Sequence, residues 1–140
     1  MTTLIENTRV KLCMLGALQL MLMSAAATAQ VWIETSKNDK YSAYASPSTM
    51  KREGNIVKMW SMFDYKTPQP DASGKQFLSA KRHFEYDCKE QRVRPLAVSS
   101  YAANEGKGEP YSSISVNDEW KKVAPETADE FLLRFACKKY

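Results

Sequence analysis

The chain has 140 residues, 44% of them hydrophobic and 26% charged, with 20 Lys and Arg against 16 Asp and Glu for a formal net charge of +4. That length suits one domain, and the basic residues are scattered in doublets such as Lys51-Arg52, Lys81-Arg82 and Lys121-Lys122, without the clustering that an electrostatic footprint for nucleic acid or a polyanion needs. No run after residue 30 is apolar for the roughly 20 residues that a membrane-spanning helix requires.

At the N-terminus a polar stretch with Arg9 and Lys11 precedes an apolar run from Leu12 to Met23 and a small-residue tail ending Ala27-Thr28-Ala29. This order predicts a cleaved secretory signal peptide over 1–29 and a domain over 30–140. Cys13 lies at the start of the apolar run and not at its end, so the expectation is an exported chain without a lipid anchor, periplasmic, secreted or displayed on the cell surface. Removing 1–29 leaves 111 residues with 18 Lys and Arg against 15 Asp and Glu. A domain of that size buries only about two-thirds of its unfolded surface, so a covalent staple would add useful stability.

"VWIETSK" and "KYSAYA" are short β-branched and aromatic runs that read as strands. The "KREGN" turn leads into residues 56–65, "IVKMWSMFDY", apolar on both alternations and therefore suited to the centre of a sheet covered on both faces. "KTPQPDASGK", residues 66–75, reads as a long hairpin loop, of a length that is often functional. In the next strand Leu78, Ala80, Phe84, Tyr86 and Cys88 share one face, while Ser79, Lys81, His83, Glu85 and Asp87 share the other. Arg82 interrupts the apolar face; a strand edge, a buried ion pair and a ligand contact are the readings, in that order. "RVRPLAVSSYAA" is a further strand whose Pro95 points to an edge or a bulge, and "NEGKGEP" turns it into "YSSISV" and then "EWKKV".

The strongest helix signal is C-terminal. Thr127 and Glu130 have capping-box spacing after Pro125, and Ala128, Phe131, Leu132, Phe135 and Ala136 repeat as one buried stripe. So short a helix is marginal alone and must dock on the sheet. Cys88 ends a strand on its apolar face and Cys137 ends the helix, an even pair in an oxidising compartment. A structural disulfide is the favoured reading over a reactive thiol or a thiolate ligand. Closing its loop of 48 intervening residues is worth roughly 4 kcal/mol in the chain-entropy picture.

Catalytic and metal chemistry find little footing. One His and two distant cysteines lack the paired spacing of a zinc site. Phosphate-binding and nucleophile-elbow motifs are missing, and Gly106-Lys107-Gly108 reads as a turn. His83, on the polar side of its strand, is a solvated or hydrogen-bonded histidine sooner than a general base. Trp32, Trp60 and Trp120 read as packing of the core or the sheet, ahead of an aromatic ligand surface.

"VWIE", "SPSTMKREGNIVKMWSMFDY", "FLSAKRHFEYDCKEQRVRPL", "YAANEGKG" and "EWKKVAPETADEFLLRFAC" occur in that order. With Gly54-Asn55, Trp60, Asp64-Tyr65, Ser79, Lys81, Glu85, Asp87-Cys88, Trp120, Pro125 and Cys137 as landmarks, the series resembles the surface-adhesin protein E family of small secreted bacterial proteins. The resemblance spans essentially the whole of 30–140. It implies an antiparallel sheet with a C-terminal helix held by a Cys88–Cys137 disulfide, binding of host matrix and plasma proteins, no cofactor, and a capacity to dimerise.

Two lines of reasoning thus lead to an α+β fold, mainly an antiparallel β-sheet with a C-terminal α-helix packed on one face and tethered by a disulfide. The expected function is non-enzymatic binding of a protein partner, host matrix or envelope component. The first candidate contacts are Lys81, His83 and Glu85 on the polar strand face and Pro68, Gln69, Pro70 and Asp71 in the loop. The alternative is a periplasmic structural or assembly partner of the envelope, with an edge near Pro95 as a place for homodimer pairing or for its prevention.

Overall fold

A computed structural model describes residues 29–115 and 119–138. The expected signal peptide lies outside the described residues, Ala29 excepted. The strands are β1 (Ile33–Lys37), β2 (Tyr41–Ala45), β3 (Lys51–Glu53), β4 (Ile56–Pro70), β5 (Gln76–Asp87), β6 (Arg92–Tyr101), β7 (Ser112–Ser115) and β8 (Lys121–Lys122), followed by helix α1 (Ala128–Cys137). They form one antiparallel sheet in the order β1-β2-β4-β5-β6-β7, with β3 beside β4 and β8 beside β6.

The long hairpin β4–β5 is the centre of the sheet, and its register decides which residues share a face. Met59 lies opposite Phe84 and Val57 opposite Tyr86, whereas Trp60 lies opposite His83 and Lys58 opposite Glu85. The first set faces α1. Ala43, Val57, Met59, Phe84, Tyr86 and Val93 from the strands pack there with Ala128, Leu132, Leu133 and Ala136 of the helix.

Helix α1 begins where expected. The Thr127 side chain accepts from the Glu130 N–H at 3.3 Å, while the Glu130 carboxylate accepts from the Glu126 N–H, one residue before the cap. The buried stripe differs from the expectation at two positions: Leu133 is buried and Phe131 is 40% exposed. The face that meets the sheet is rotated toward Leu133, which leaves Phe131 at its margin. At the other end Arg52 donates from Nη2 to the Ala136 carbonyl at 2.9 Å, occupying one of the carbonyls a helix leaves unpaired. Cys88 and Cys137 are disulfide-bonded, their Cα atoms 5.5 Å apart, so the helix end is fixed to the end of β5.

Of the readings for Arg82 the ion pair is the one that holds, although the pair is only half-buried. It reaches Asp129 at 2.9 Å, with its guanidinium 4.0 Å from the Phe84 ring centre and 4.6 Å from that of Phe63. Pro95 belongs to a bulge and not to an outer edge: β6 is paired with β5 on one side and with β7 and β8 on the other. Its outer partners cover Arg92-Val93 and Ala97–Ser100, which leaves Pro95, with no N–H to offer, in the gap between them. The outer strands of the main order are β1 and β7.

The expected loop over 66–75 is shorter than its composition suggests. β4 continues to Pro70, with Gln69 paired to Phe77 and Pro70 to Gln76. The remaining turn is closed by Asp71, whose Oδ1 accepts from the Ser73 N–H at 2.8 Å and the Lys75 N–H at 2.9 Å. Asp71 is therefore a turn-former first.

Candidate functional site

With α1 on one face, the other face of β4 and β5 carries no second layer among the described residues. Its side chains form rows across the strands. One row runs Lys51, Lys58, Glu85, Arg94; the next holds Trp60 and His83; a third holds Tyr44, Met62, Lys81 and Ser99.

The charged row is built around a carboxylate that is 5% exposed. Glu85 accepts from Arg94 Nε at 2.6 Å and lies 3.6 Å from Lys58 Nζ. Asp87, on the same face and equally buried, accepts from Arg92 Nε at 2.9 Å and from the Lys89 and Glu90 N–H groups at 3.1 Å each. Burial opposes ionisation of Asp87, but the Glu90 N–H, the Arg92 guanidinium and the Lys89 N–H outweigh it and hold its carboxyl below the usual range. Both guanidiniums stand over the Trp120 ring, that of Arg92 4.9 Å and that of Arg94 4.7 Å from its centre.

Next to this row the Trp60 indole and the His83 imidazole stack with centres 4.8 Å apart and planes 6° from parallel. Each ring holds the other upright on a central strand. The Trp60 N–H of the backbone donates to Thr49 Oγ1 at 3.0 Å, which ties the short helical turn Pro47–Thr49 against the strand. Burial, then the neighbouring Lys58, lowers the His83 pKa, and the pull of Glu85 does not restore it. His83 is accordingly neutral at pH 7 and acts as a flat surface with one hydrogen-bonding edge.

Two depressions meet at Trp60. One, about 410 Å³, is bordered by Ser48, Lys81 and Tyr101; the other, about 480 Å³, by Lys51, Lys58 and His83. The floor of the first is held by a turn at Asn104–Gly106. Ser79 donates to the Ala103 carbonyl at 2.5 Å and accepts from the Gly106 N–H at 2.8 Å. Gly106 has φ of +64°, and a Cβ there would lie 2.3 Å from Lys81 Cε, so the Lys81 stem lies directly on the glycine.

Of the residues singled out from the sequence, Lys81, His83 and Glu85 do share one face, yet they are unequal. Lys81 and His83 are half-buried and border the depressions, whereas Glu85 is enclosed by its cations. Pro68 and Pro70 are exposed, with Gln69 and Asp71 half-buried, at the far end of the same hairpin. The tryptophans correct an expectation: none belongs to the buried core, and Trp60 and Trp120 stand on the helix-free face. From the sequence Lys58, Arg92 and Arg94 are not marked as site residues, and Trp120 is placed in packing. A paired β4–β5 register would have placed Lys58 against Glu85.

Comparison with known proteins bears on this architecture. A family model described as surface-adhesin protein E matches residues 32–138. The chain belongs to the surface-adhesin protein E family. Protein E of Haemophilus influenzae in its crystal form II is structurally similar, with a TM-score of 0.53 at 11% identity over 77% of this chain and 94% of that one. The structure of protein E from non-typeable Haemophilus influenzae gives 0.50 at 12% identity over 77% and 82%. At such identities the likeness establishes the fold. No curated protein sequence matches the chain. Membership in the protein E family makes this chain adhesin-like and a surface-protein relative, and no helix among its described residues is long and apolar enough to cross a membrane.

Proposed function

We propose that the protein is an exported, non-enzymatic binding protein that engages a protein partner, host matrix or envelope component, through the helix-free face of its sheet. The observation that carries this reading is the Trp60–His83 stack, half-buried on the two central strands and backed by the buried Glu85 row. Aromatic side chains fixed on a rigid sheet lose little freedom on binding, and a partner gains apolar area against them. Lys81 borders the same depression as Trp60, and Pro68 to Asp71 extend the hairpin beyond it. In this proposal Lys81, His83 and the hairpin tip make contacts, while Glu85 holds Lys58 and Arg94 in place.

The test is binding of the purified protein to immobilised matrix proteins and to envelope extract. A saturable interaction that weakens at least tenfold in Trp60→Ala, and also when Pro68–Asp71 is replaced by Gly and Ser, supports the reading. A wild type that captures nothing, or variants that bind as it does, refutes it. Protease shaving of producing cells reports the location, since a surface adhesin must be cleaved on intact cells.

A second reading, an envelope assembly partner acting through strand addition, is favoured by one observation. β1 is an outer strand, and Ile33 and Phe131 beside it are 42% and 40% exposed. Its test is sedimentation: concentration-dependent association abolished by Ile33→Lys supports pairing along this edge, and a monomer at millimolar concentration rejects homotypic pairing.

A further inference from the structure

We infer that the depression between Trp60 and the Lys51–Lys58 pair is a binding site for an acidic saccharide, a sugar chain bearing carboxylate or sulfate groups. The inference rests on the reading of the helix-free face as the contact surface and names its ligand chemistry.

The charges give the first argument. Lys51 and Lys58 are direct cross-strand partners on the same face, an arrangement that costs stability unless something neutralises it. Glu85 lies against Lys58 but is already shared with Arg94, so this row carries three cations for one carboxylate. Glu53 also lines the depression, and among the described residues it makes no ion pair with either lysine. An anionic group between the lysines supplies the missing countercharge.

The indole gives the second. The Trp60 indole, stacked on His83, borders together with it the depression shared with Thr49, Lys51 and Lys58. The C–H face of a sugar ring carries partial positive charge and packs on the negative face of an indole, while its substituents reach the ammonium groups and the Thr49 hydroxyl. An extended acidic peptide offers no flat ring to this surface.

The length gives the third. The second depression, beyond Trp60, is bordered by Lys81 and Tyr101, with the ammonium of Lys81 4.9 Å from the Tyr101 ring centre. Lys81 is opposite Met62, four residues along β4 from Lys58, or about 13 Å at the usual rise of a strand. Cations at both ends with an aromatic face between them match a linear chain with anionic groups on successive rings, not a lone anion.

The experiment uses the purified protein at physiological salt and follows tryptophan fluorescence and calorimetry. The probes are a sulfated hexasaccharide of alternating uronate and glucosamine, neutral maltohexaose and decaglutamate. Saturable binding of the sulfated hexasaccharide is expected, at least tenfold tighter than for either control. Trp60→Ala and the double variant Lys51→Glu/Lys58→Glu are each expected to weaken it at least tenfold, with Arg134→Glu on the helix side unchanged. The inference is overturned by no saturable binding, by equal affinity for decaglutamate, by unaffected site variants, or by an equal loss in Arg134→Glu. If the hexasaccharide fails while a matrix protein still binds in a Trp60-dependent way, the saccharide inference falls and the proposed contact surface stands.

Discussion

Asp87 shows how a carboxylate within an apparently polar strand face becomes part of the scaffold. It is 4% exposed, and its two oxygens accept from Arg92 and from two backbone N–H groups of the following turn. Because these donors hold the folded-state pKa below the value of about 3.9 expected of an unfolded aspartate, the unfolded chain binds the proton more readily. The stabilisation is thus complete above about pH 4 and is lost as pH falls through the folded pKa. The urea midpoint of the wild type should drop as pH falls from about 4 to about 2. Asp87→Asn should reduce that slope and cost about 1–3 kcal/mol at pH 7, the range for hydrogen bonds to a charged group. A wild-type midpoint insensitive to pH in that window would contradict the assignment. Tyr86 is the counterpart on the helix side: its hydroxyl is buried, and burial pushes its pKa up to about 12.

The elements divide into those that stand by local signal and those that need the staple. The Thr127 cap and the apolar stripe start and orient α1, but a ten-residue helix is too short to persist alone. Its end is held by the Cys88–Cys137 bond and by Arg52 at the Ala136 carbonyl. Cys88→Ser/Cys137→Ser frees a loop with a sequence separation of 49, so denaturant unfolding should show a loss of about 4 kcal/mol, with strand circular dichroism retained at low denaturant. A loss below 1 kcal/mol would mean that packing alone fixes the helix. The hairpin β4–β5 is the other decisive element. Near its turn Gln69 pairs with Phe77, yet Asp64 pairs with Ser79, a shift of three positions across the irregularity between them. Counting outward from the turn would set Trp60 against Tyr86; the actual partner is His83.

At the scale of the molecule the sheet separates the packed core from the face proposed for recognition. The face under α1 holds the core and the disulfide, and the opposite face holds the Trp60–His83 stack and the lysines. Substitutions on the two faces should therefore have different consequences. Leu133→Ala, at a fully buried position, should cost about 2–5 kcal/mol and leave partner affinity unchanged at a temperature where the variant is folded. Lys58→Ala should shift the melting temperature by only a few degrees and weaken binding. Calorimetry paired with a binding assay checks both, and a Leu133→Ala variant that stays folded but loses affinity would show that the faces are coupled.

The sequence by itself determined the local elements: alternation marked β5, capping and periodicity marked α1, and the two remaining cysteines pointed to a disulfide between strand and helix. These are short-range patterns, set by side-chain direction and by which residues tolerate a turn. It also separated the faces of β5, since Phe84 and Tyr86 do turn to the helix and His83, Glu85 and Asp87 away from it. Tertiary structure alone decided what those faces meet. Glu85 and Asp87 are buried because Arg92 and Arg94 of the adjacent strand pair with them and Trp120, more than 30 positions away, packs against both guanidiniums. Trp60 lies on the helix-free face and not in the core because an irregularity in the hairpin sets its register. Burial and pairing depend on which strands become neighbours, and that is a property of the whole sheet.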